Sequence, residues 1–436
     1  MFYNSIKNKL NIKNFIDIFF SNLSKDKNLY FPVKISKLNK KFIFSLKNLN
    51  YNNFAFSLLR IFLKDLEEED IYRLINISYS SNFFDNVIKI DKIFNNNYLL
   101  NLNNGPTLTF KDIAMIPLGN LLKLLSLKYK KKFIVFCTTS GDTGASANNS
   151  LKNIRETKIF TFHPFNMISN IQRKQMTIFK NKNIFNISIL GNFDISQYLI
   201  KKIFEKINNN KKINLISVNS INWFRIIMQV IYYCYSSLKI YDFKKINFLI
   251  PSGNFGNALS AFIAKLLGFP IEKIITCTND NYFLDNFIKN NNYLNLPLKK
   301  TITPSIDISI PSNFSRIINS NFLKKYEMNY LNKSFYSDKI YNKNIINSIE
   351  YFYNMYNKLY DPHTITCLSS LKKENKKENM VVSTSYPIKF IFSIKKIMPN
   401  IKFTNNLKKI FFIKEKYKIF SQNFFVLINF IKKCII

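Results

Sequence analysis

Phe133-Ile-Val-Phe-Cys-Thr-Thr-Ser-Gly-Asp-Thr-Gly144 and Ile246-Asn-Phe-Leu-Ile-Pro-Ser-Gly-Asn-Phe-Gly256 are built on one plan. Each has a short apolar run, then a small-residue loop with two glycines, then a helix-like pattern. Apolar runs of this length bounded by turn residues suit buried parallel strands. After the second loop, Ala258 to Leu267 is apolar with Lys265 inserted, and Gly268 stands where a helix C-cap glycine belongs. A third apolar run, Met380-Val-Val382, precedes Ser383-Thr-Ser-Tyr-Pro387. Repeated strand–loop–helix units predict an α/β fold with mainly parallel sheets. In such sheets ligands bind beyond the carboxyl ends of the strands, where both loops would lie. The chain has 8 glycines in 436 residues, and four of them sit in these loops. A composition so poor in glycine keeps it where the backbone must bend sharply or approach a ligand closely.

The formal charge of +38 suggests, taken alone, a nucleic-acid or anionic-membrane partner. The lysines, however, run along the whole chain and are not gathered into one arm. Asn, Ile, Phe and Tyr are abundant too, and all these residues share A/T-rich codons, so an A/T-rich genome accounts for the charge. Neither a nucleic-acid nor a membrane partner is expected. With 47% apolar residues a large core is available. Cys137, Cys234, Cys277, Cys367 and Cys434 are odd in number and far apart, without a C-x-x-C pair. That argues against a disulfide framework or zinc site and fits a reducing cytoplasm. His163 and His363 are the only histidines, too few for a His-rich metal site. The first twenty residues lack the continuous apolar core of a signal peptide. Phe424 to Ile431 is apolar but far short of the roughly 20 residues a membrane span needs, and reads as a core or interface segment. Asn208–Asn210, Asn290–Asn292 and the charged run Lys372–Asn379 read as surface connectors.

Backbone N–H groups at a helix start, exposed by glycines, make a phosphate cradle. In Ser252 to Asn257 the side chains of Asn254 and Asn257 can add donors. Alone, the loop is equally an ordinary strand-to-helix turn, and it is neither a Walker A loop nor G-x-G-x-x-G. The loop Ser140 to Gly144 adds hydroxyls at Thr138, Thr139, Ser140 and Thr143, suited to a carboxylate or phosphate, while Asp142 can also simply cap the helix. Upstream, Lys111 sits in Gly105-Pro-Thr-Leu-Thr-Phe-Lys-Asp112. Burial lowers a lysine's pKa, and a neutral amine forms Schiff bases. By itself Lys111 is one lysine among many. Together the parts match pyridoxal 5'-phosphate, which needs a lysine for its aldehyde, a phosphate cradle and a polar partner for its pyridine nitrogen. Its amino-acid substrate needs a carboxylate site. Lys111, the two loops and a late hydroxyl such as Thr384 supply all four.

The chain resembles the threonine synthases, pyridoxal-phosphate enzymes of the tryptophan-synthase-β (type II) fold. The resemblance is carried in order by Asn28-Leu-Tyr-Phe-Pro32, Gly105 to Asp112, Thr139-Ser-Gly-Asp-Thr-Gly-Ala145 and Gly191-Asn-Phe-Asp194. It continues through Asn219-Ser-Ile-Asn222 with Arg225, Pro251-Ser-Gly-Asn-Phe-Gly256, Asp361-Pro-His363 and Tyr386-Pro-Ile-Lys-Phe390. It favours the long bacterial and fungal form and covers about residues 20 to 395. It implies an N-terminal family-specific region over 1–95 and two α/β domains over 96–240 and 241–395. Residues 396–436 stay unassigned. It implies that Lys111 holds the cofactor and then moves protons, that Gly253, Asn254, Phe255, Gly256 and Asn257 bind the cofactor phosphate, and that Thr384 meets the pyridine nitrogen. Asp142 would lie near the cofactor's 3-hydroxyl. Ser140 and Thr143 would hold the substrate carboxylate, and Asn222 and Arg225 are candidates for the substrate phosphate. The reaction implied converts O-phospho-L-homoserine and water to L-threonine and phosphate, in a monomer or homodimer.

The chain also departs from the family pattern. Phe165 and Met167 stand where basic residues are usual, and Thr384-Ser-Tyr-Pro387 replaces Thr-Ala-His-Pro, so Tyr386 carries no positive charge. Pro117 falls inside the expected helix after Lys111. An interior proline costs roughly 3 kcal/mol, which predicts a helix that starts at about 116 or kinks there. Two alternatives remain: a non-catalytic binding protein on the same fold, and a threonine or serine dehydratase, which has no need of Asn222 and Arg225.

Overall fold

The computed structural model describes residues 1–435 except 9, 208–213, 241–243, 320–330, 332, 372–376, 402–409 and 411. The predicted connectors at Asn208–Asn210 and 372–376 fall outside the described residues. The strands are β1 (Tyr3–Ser5), β2 (Tyr30–Pro32), β3 (Lys89–Phe94), β4 (Asn97–Asn101), β5 (Phe133–Thr138), β6 (Thr157–Pro164) and β7 (Ile184–Ile189). They continue with β8 (Asn214–Ser217), β9 (Ile246–Pro251), β10 (Ile271–Thr278), β11 (Phe335–Lys339), β12 (Asn379–Ser383) and β13 (Lys418–Phe420).

The three apolar runs are β5, β9 and β12, each buried at every residue. A strand covered on both faces has no need of polar alternation. They sit in two sheets. The smaller has order β13-β7-β6-β5-β8, with every pair parallel. The larger has order β11-β10-β9-β12-β4-β3, parallel except for the β3–β4 pair. A short antiparallel pair, β1–β2, stands apart. Sheet membership divides the chain differently from boundaries at 95 and 395. Residues 97–101 pair with β12 in the larger sheet, and β13 of the tail pairs with β7 in the smaller one.

The Trp223–Leu238 helix is buried at every residue but Tyr235. A helix apolar all round belongs inside a core, and this one packs against the Asp112–Tyr129 and Gly256–Leu266 helices. The N-terminal helices Tyr51–Phe62 and Glu68–Ser78 cover the same core, the latter with Glu68, Glu69 and Asp70 in its solvated first turn, where acidic side chains are favoured. Phenylalanine fills the smaller sheet: Phe136, Phe160 and Phe185 stack at 5.5 and 4.8 Å. The last apolar segment is the Phe424–Ile435 helix, which buries Leu427, Ile428 and Ile431 against this sheet and leaves Phe425 and Val426 exposed. It is part of the core, as its sequence suggested. Among the described residues no helix is long and apolar enough to cross a membrane.

The helix after Lys111 runs from Asp112 to Tyr129 with Pro117 inside it, so the expected start at 116 is wrong. Pro117 has no N–H for the carbonyl of Ile113, four residues earlier. That carbonyl accepts the Tyr79 hydroxyl at 2.8 Å instead. The proline's missing donor is thus replaced from the N-terminal region. Tyr79→Phe is expected to leave a buried carbonyl unpaired and cost about 1–3 kcal/mol in urea unfolding. In a Pro117→Ala background the loss should be much smaller, because residue 117 then donates to Ile113 itself.

Candidate active site

The lysine segment is strapped to the end of β12. Phe110 N–H donates to the Thr384 carbonyl at 2.9 Å, Thr109 bridges Ser385, and Tyr386 N–H reaches the Leu108 carbonyl at 3.2 Å. Lys111 and Thr384, far apart in sequence, are therefore neighbours. Asp112 holds the turn before the lysine: its carboxylate accepts Thr107 N–H at 2.8 Å and the Thr107 and Ser146 hydroxyls. A Cβ on Gly105 would lie 2.6 Å from that carboxylate, which is why the turn needs glycine. The Thr384 hydroxyl has no hydrogen-bond partner among the described residues.

Asp142 is the hub of the site. Its Oδ2 lies 3.1 Å from Lys111 Nζ and its Oδ1 2.6 Å from Lys389 Nζ. Gln172 Nε2 donates to Oδ1 at 2.9 Å and the Ser385 hydroxyl to Oδ2 at 3.2 Å. Burial alone would raise this carboxyl, but Lys111 and Lys389 hold it well below the usual carboxylate range. Lys111 is lowered from the ordinary lysine value, first by burial, with Lys389 and Arg225 adding to it against the pull of Asp142. Its side chain keeps 12% exposure, so burial of this lysine is nearly complete. The alternative in which Asp142 merely caps its helix is corrected. Thr139 Oγ1 does the capping, accepting the N–H groups of Gly141 and Gly144 at 2.8 and 2.9 Å. Asp142 is the first helical residue, after Gly141 at φ 131°.

In the second loop, the N–H groups of Gly253, Asn254, Phe255, Gly256 and Asn257 have no partner among the described residues. They open at the start of the Gly256–Leu266 helix, where the macrodipole favours an anion. Phe255 holds a left-handed φ of 61°, a strained conformation of the kind found at ligand clamps. One of the two side-chain amide hydrogens of Asn254 is already committed, leaving one that can be donated to a ligand. Its Nδ2 donates to Ser220 Oγ at 2.7 Å, and its Oδ1 accepts Ser312 N–H and hydroxyl at 2.7 and 2.6 Å. It is a strut across the cradle. Asn257 Oδ1 is taken by the Tyr232 and Tyr233 hydroxyls. Gly253 packs under the 305–306 backbone, where a Cβ would meet Ile306 Cα at 2.8 Å. That backbone is held by His363: its Nε2 accepts Ser305 N–H at 3.1 Å while Nδ1 meets Asp361 at 2.9 Å.

The N–H groups of Ser140, Asp142 and Thr143 and the hydroxyls of Ser140 and Thr143 are also uncommitted among the described residues. Arg225 is buried, donates from Nη1 to the Val218 carbonyl at 3.0 Å, and leaves Nε without a partner. Among the described residues no carboxylate pairs with it, and burial lowers it to about 10. Asn222 caps the Arg225 helix, accepting Phe224 N–H at 3.0 Å, and donates to the Ser217 carbonyl at 2.9 Å. Half of its amide is therefore structural. Phe165 is half-buried and Met167 is 48% exposed after β6, so neither supplies a cation. Tyr386 begins the 387–390 turn, partly exposed.

These features fit pyridoxal phosphate: a largely buried amine beside a carboxylate, a row of open N–H groups and an uncommitted hydroxyl at the end of β12. Lys389, Gln172 and Ser385 were not singled out from sequence. Lys389 and Ser385 lay within quoted or adjacent motifs, but nothing local marks either as buried. Among the described residues no cluster suits a metal ion.

Residues 2–79 match the family described as the threonine synthase N terminus. The chain is 31% identical to the threonine synthase of Saccharomyces cerevisiae, over 92% of this chain and 91% of that one. It is 34% identical to that of Pseudomonas aeruginosa, over 73% and 68%. It superimposes on the PLP-bound threonine synthase of Brucella melitensis with a TM-score of 0.91 at 27% identity, covering 100% and 99% of the two chains. A pyridoxal 5'-phosphate-dependent aspartate racemase, 12% identical with a TM-score of 0.53, shares the fold alone. The architecture is the type II fold expected from the sequence, and the chain belongs to the threonine synthase family.

Proposed function

We propose that this site converts O-phospho-L-homoserine and water to L-threonine and phosphate. The observation that carries the reading is Arg225, a buried guanidinium with no carboxylate partner among the described residues and close enough to Lys111 to disfavour its ammonium form. The reaction brings three anionic groups together, and the site offers three sets of open donors. The N–H groups of Gly253 to Asn257 would hold the cofactor phosphate. The substrate carboxylate takes Ser140, Thr143 and the helix start around them. The leaving phosphate takes Arg225, with the remaining amide hydrogen of Asn222. When bound, pyridoxal phosphate supplies the aldehyde that Lys111 holds and an electron sink for the α-carbon.

Lys111 Nζ removes the α-proton and later returns one to the same carbon. Asp142 orients the amine and balances its charge as the proton comes and goes. Thr384, a neutral hydroxyl, would meet the ring nitrogen without forcing a proton onto it. Arg225 receives the charge of the departing phosphate where little water competes. Five free cysteines, four of them buried, support a reducing, cytoplasmic setting.

Phosphate release from O-phosphohomoserine, assayed beside deamination of serine and threonine, tests the reading. Phosphate release with threonine formed in equal amount is the expected result. Deamination without phosphate release would favour a dehydratase, and cofactor uptake without any turnover a binding protein.

A further inference from the structure

Asp142 is ion-paired on both oxygens, by Lys111 at 3.1 Å and by Lys389 at 2.6 Å. Lys389 has no solvent exposure, and its Nζ also donates to the Thr107 carbonyl at 2.9 Å. Buried lysines are rare unless paired, because desolvating the ammonium is expensive. Its two contacts tie the 387–390 turn to the start of the Asp142–Leu151 helix and to the turn before Lys111.

One lysine is enough to neutralise one carboxylate. If Lys111 alone faced Asp142, the pair would close on itself, and an opposite charge at hydrogen-bond distance favours the ammonium form. An ammonium has no lone pair with which to attack an aldehyde or accept a proton. With Lys389 on the other oxygen, the attraction of Asp142 is shared. Among the described residues the charged groups acting on Lys111 are Asp142 from its helix, Lys389 from the 387–390 turn and Arg225 from the Trp223–Leu238 helix. Asp112, the other carboxylate that Lys389 faces, is hydrogen-bonded to Thr107 and Ser146. Two cations thus oppose one anion around an amine that is already buried.

We propose that Lys389 is a positioning residue for the reaction: a second cation on Asp142 that keeps the carboxylate oriented while Lys111 gives up and regains its proton. The inference rests on Lys111 being the amine that holds the cofactor. Lys389 acts through Asp142 and forms no bond to substrate.

The test follows covalent capture of pyridoxal phosphate by the apoenzyme across a pH series, trapped with borohydride and read by mass spectrometry. In Lys389→Met the pH midpoint of capture should rise by about one unit, which slows capture about tenfold at neutral pH. A midpoint unchanged from the parent overturns the proposal. Lys389→Met with Asp142→Asn removes both charges and leaves neither unpaired, so it carries the test should the single variant not fold. Its midpoint should lie within half a unit of the parent. A midpoint a unit or more lower means that Lys389 never offset Asp142, and a unit or more higher means that Asp142 was not the group it acted through; either overturns the proposal. Lys111→Ala separates the two levels of the argument. An adduct surviving there sinks the assignment of Lys111, whereas its loss beside an unshifted Lys389→Met removes only the role of Lys389.

Discussion

Lys111→Ala should abolish covalent cofactor binding and lower kcat by at least about 10⁴-fold, since it removes both the covalent attachment and the acid–base group. The fold should survive. The side chain of Lys111 projects from the residue just before the Asp112–Tyr129 helix and, among the described residues, makes no side-chain hydrogen bond except that to Asp142. Asp142 keeps Lys389, Gln172 and Ser385 as partners, so the substitution leaves no bare buried carboxylate. Near-ultraviolet circular dichroism should therefore match the parent, while visible cofactor absorbance and phosphate release both vanish. A variant that loses its tertiary signal would instead give Lys111 a structural role. One that keeps the absorbance would show that another lysine carries the cofactor, and Lys389 is the one to examine first, since it meets the same carboxylate.

Much of this site was legible because the composition is so biased. In a chain with 8 glycines, the pairs at Gly141 and Gly144 and at Gly253 and Gly256 stand out, and the apolar runs before them became β5 and β9. Lys111 stood out by its motif, since 64 lysines and arginines make a single lysine uninformative. That same abundance hid Lys389, whose burial depends on packing with Thr107 and Asp142, 282 and 247 positions away in a numbering that carries no local trace of it. Pro117 misled about where the helix starts, for a related reason. Its cost is local and readable, but the Tyr79 hydroxyl that serves the orphaned carbonyl comes from another helix's end. Asn254 was read only as a donor, and its bracing role was not legible, because Ser220 and Ser312, which take one amide hydrogen and the amide oxygen, lie 34 and 58 positions away. The placement of β4 beside β12 and of β13 beside β7 depends on long-range pairing, for which the short strands hold no register signal of their own.

Arg225→Met should separate activity from stability, in opposite directions. Among the described residues the parent side chain is a buried guanidinium held by a single hydrogen bond to the Val218 carbonyl, with Nε unpaired and no carboxylate to balance it. Replacing such a charge by an apolar chain of similar length is often neutral or stabilising, here offset by the lost bond to Val218. The substrate-free protein should therefore melt at or above the parent's temperature. Two charge-assisted bonds to phosphate contribute roughly 1.5–3 kcal/mol each, so kcat/KM for O-phosphohomoserine should fall by about 10²–10⁴-fold. Cofactor uptake should persist, because the cradle at Gly253 to Asn257 does not use Arg225. It should proceed at a somewhat higher pH than in the parent, since removing a nearby cation eases protonation of Lys111. Loss of stability with an unchanged kcat/KM would make Arg225 a core strut and leave the leaving phosphate without its principal cation. Because neither Phe165 nor Met167 supplies a charge, that outcome would also point away from a phosphorylated substrate altogether.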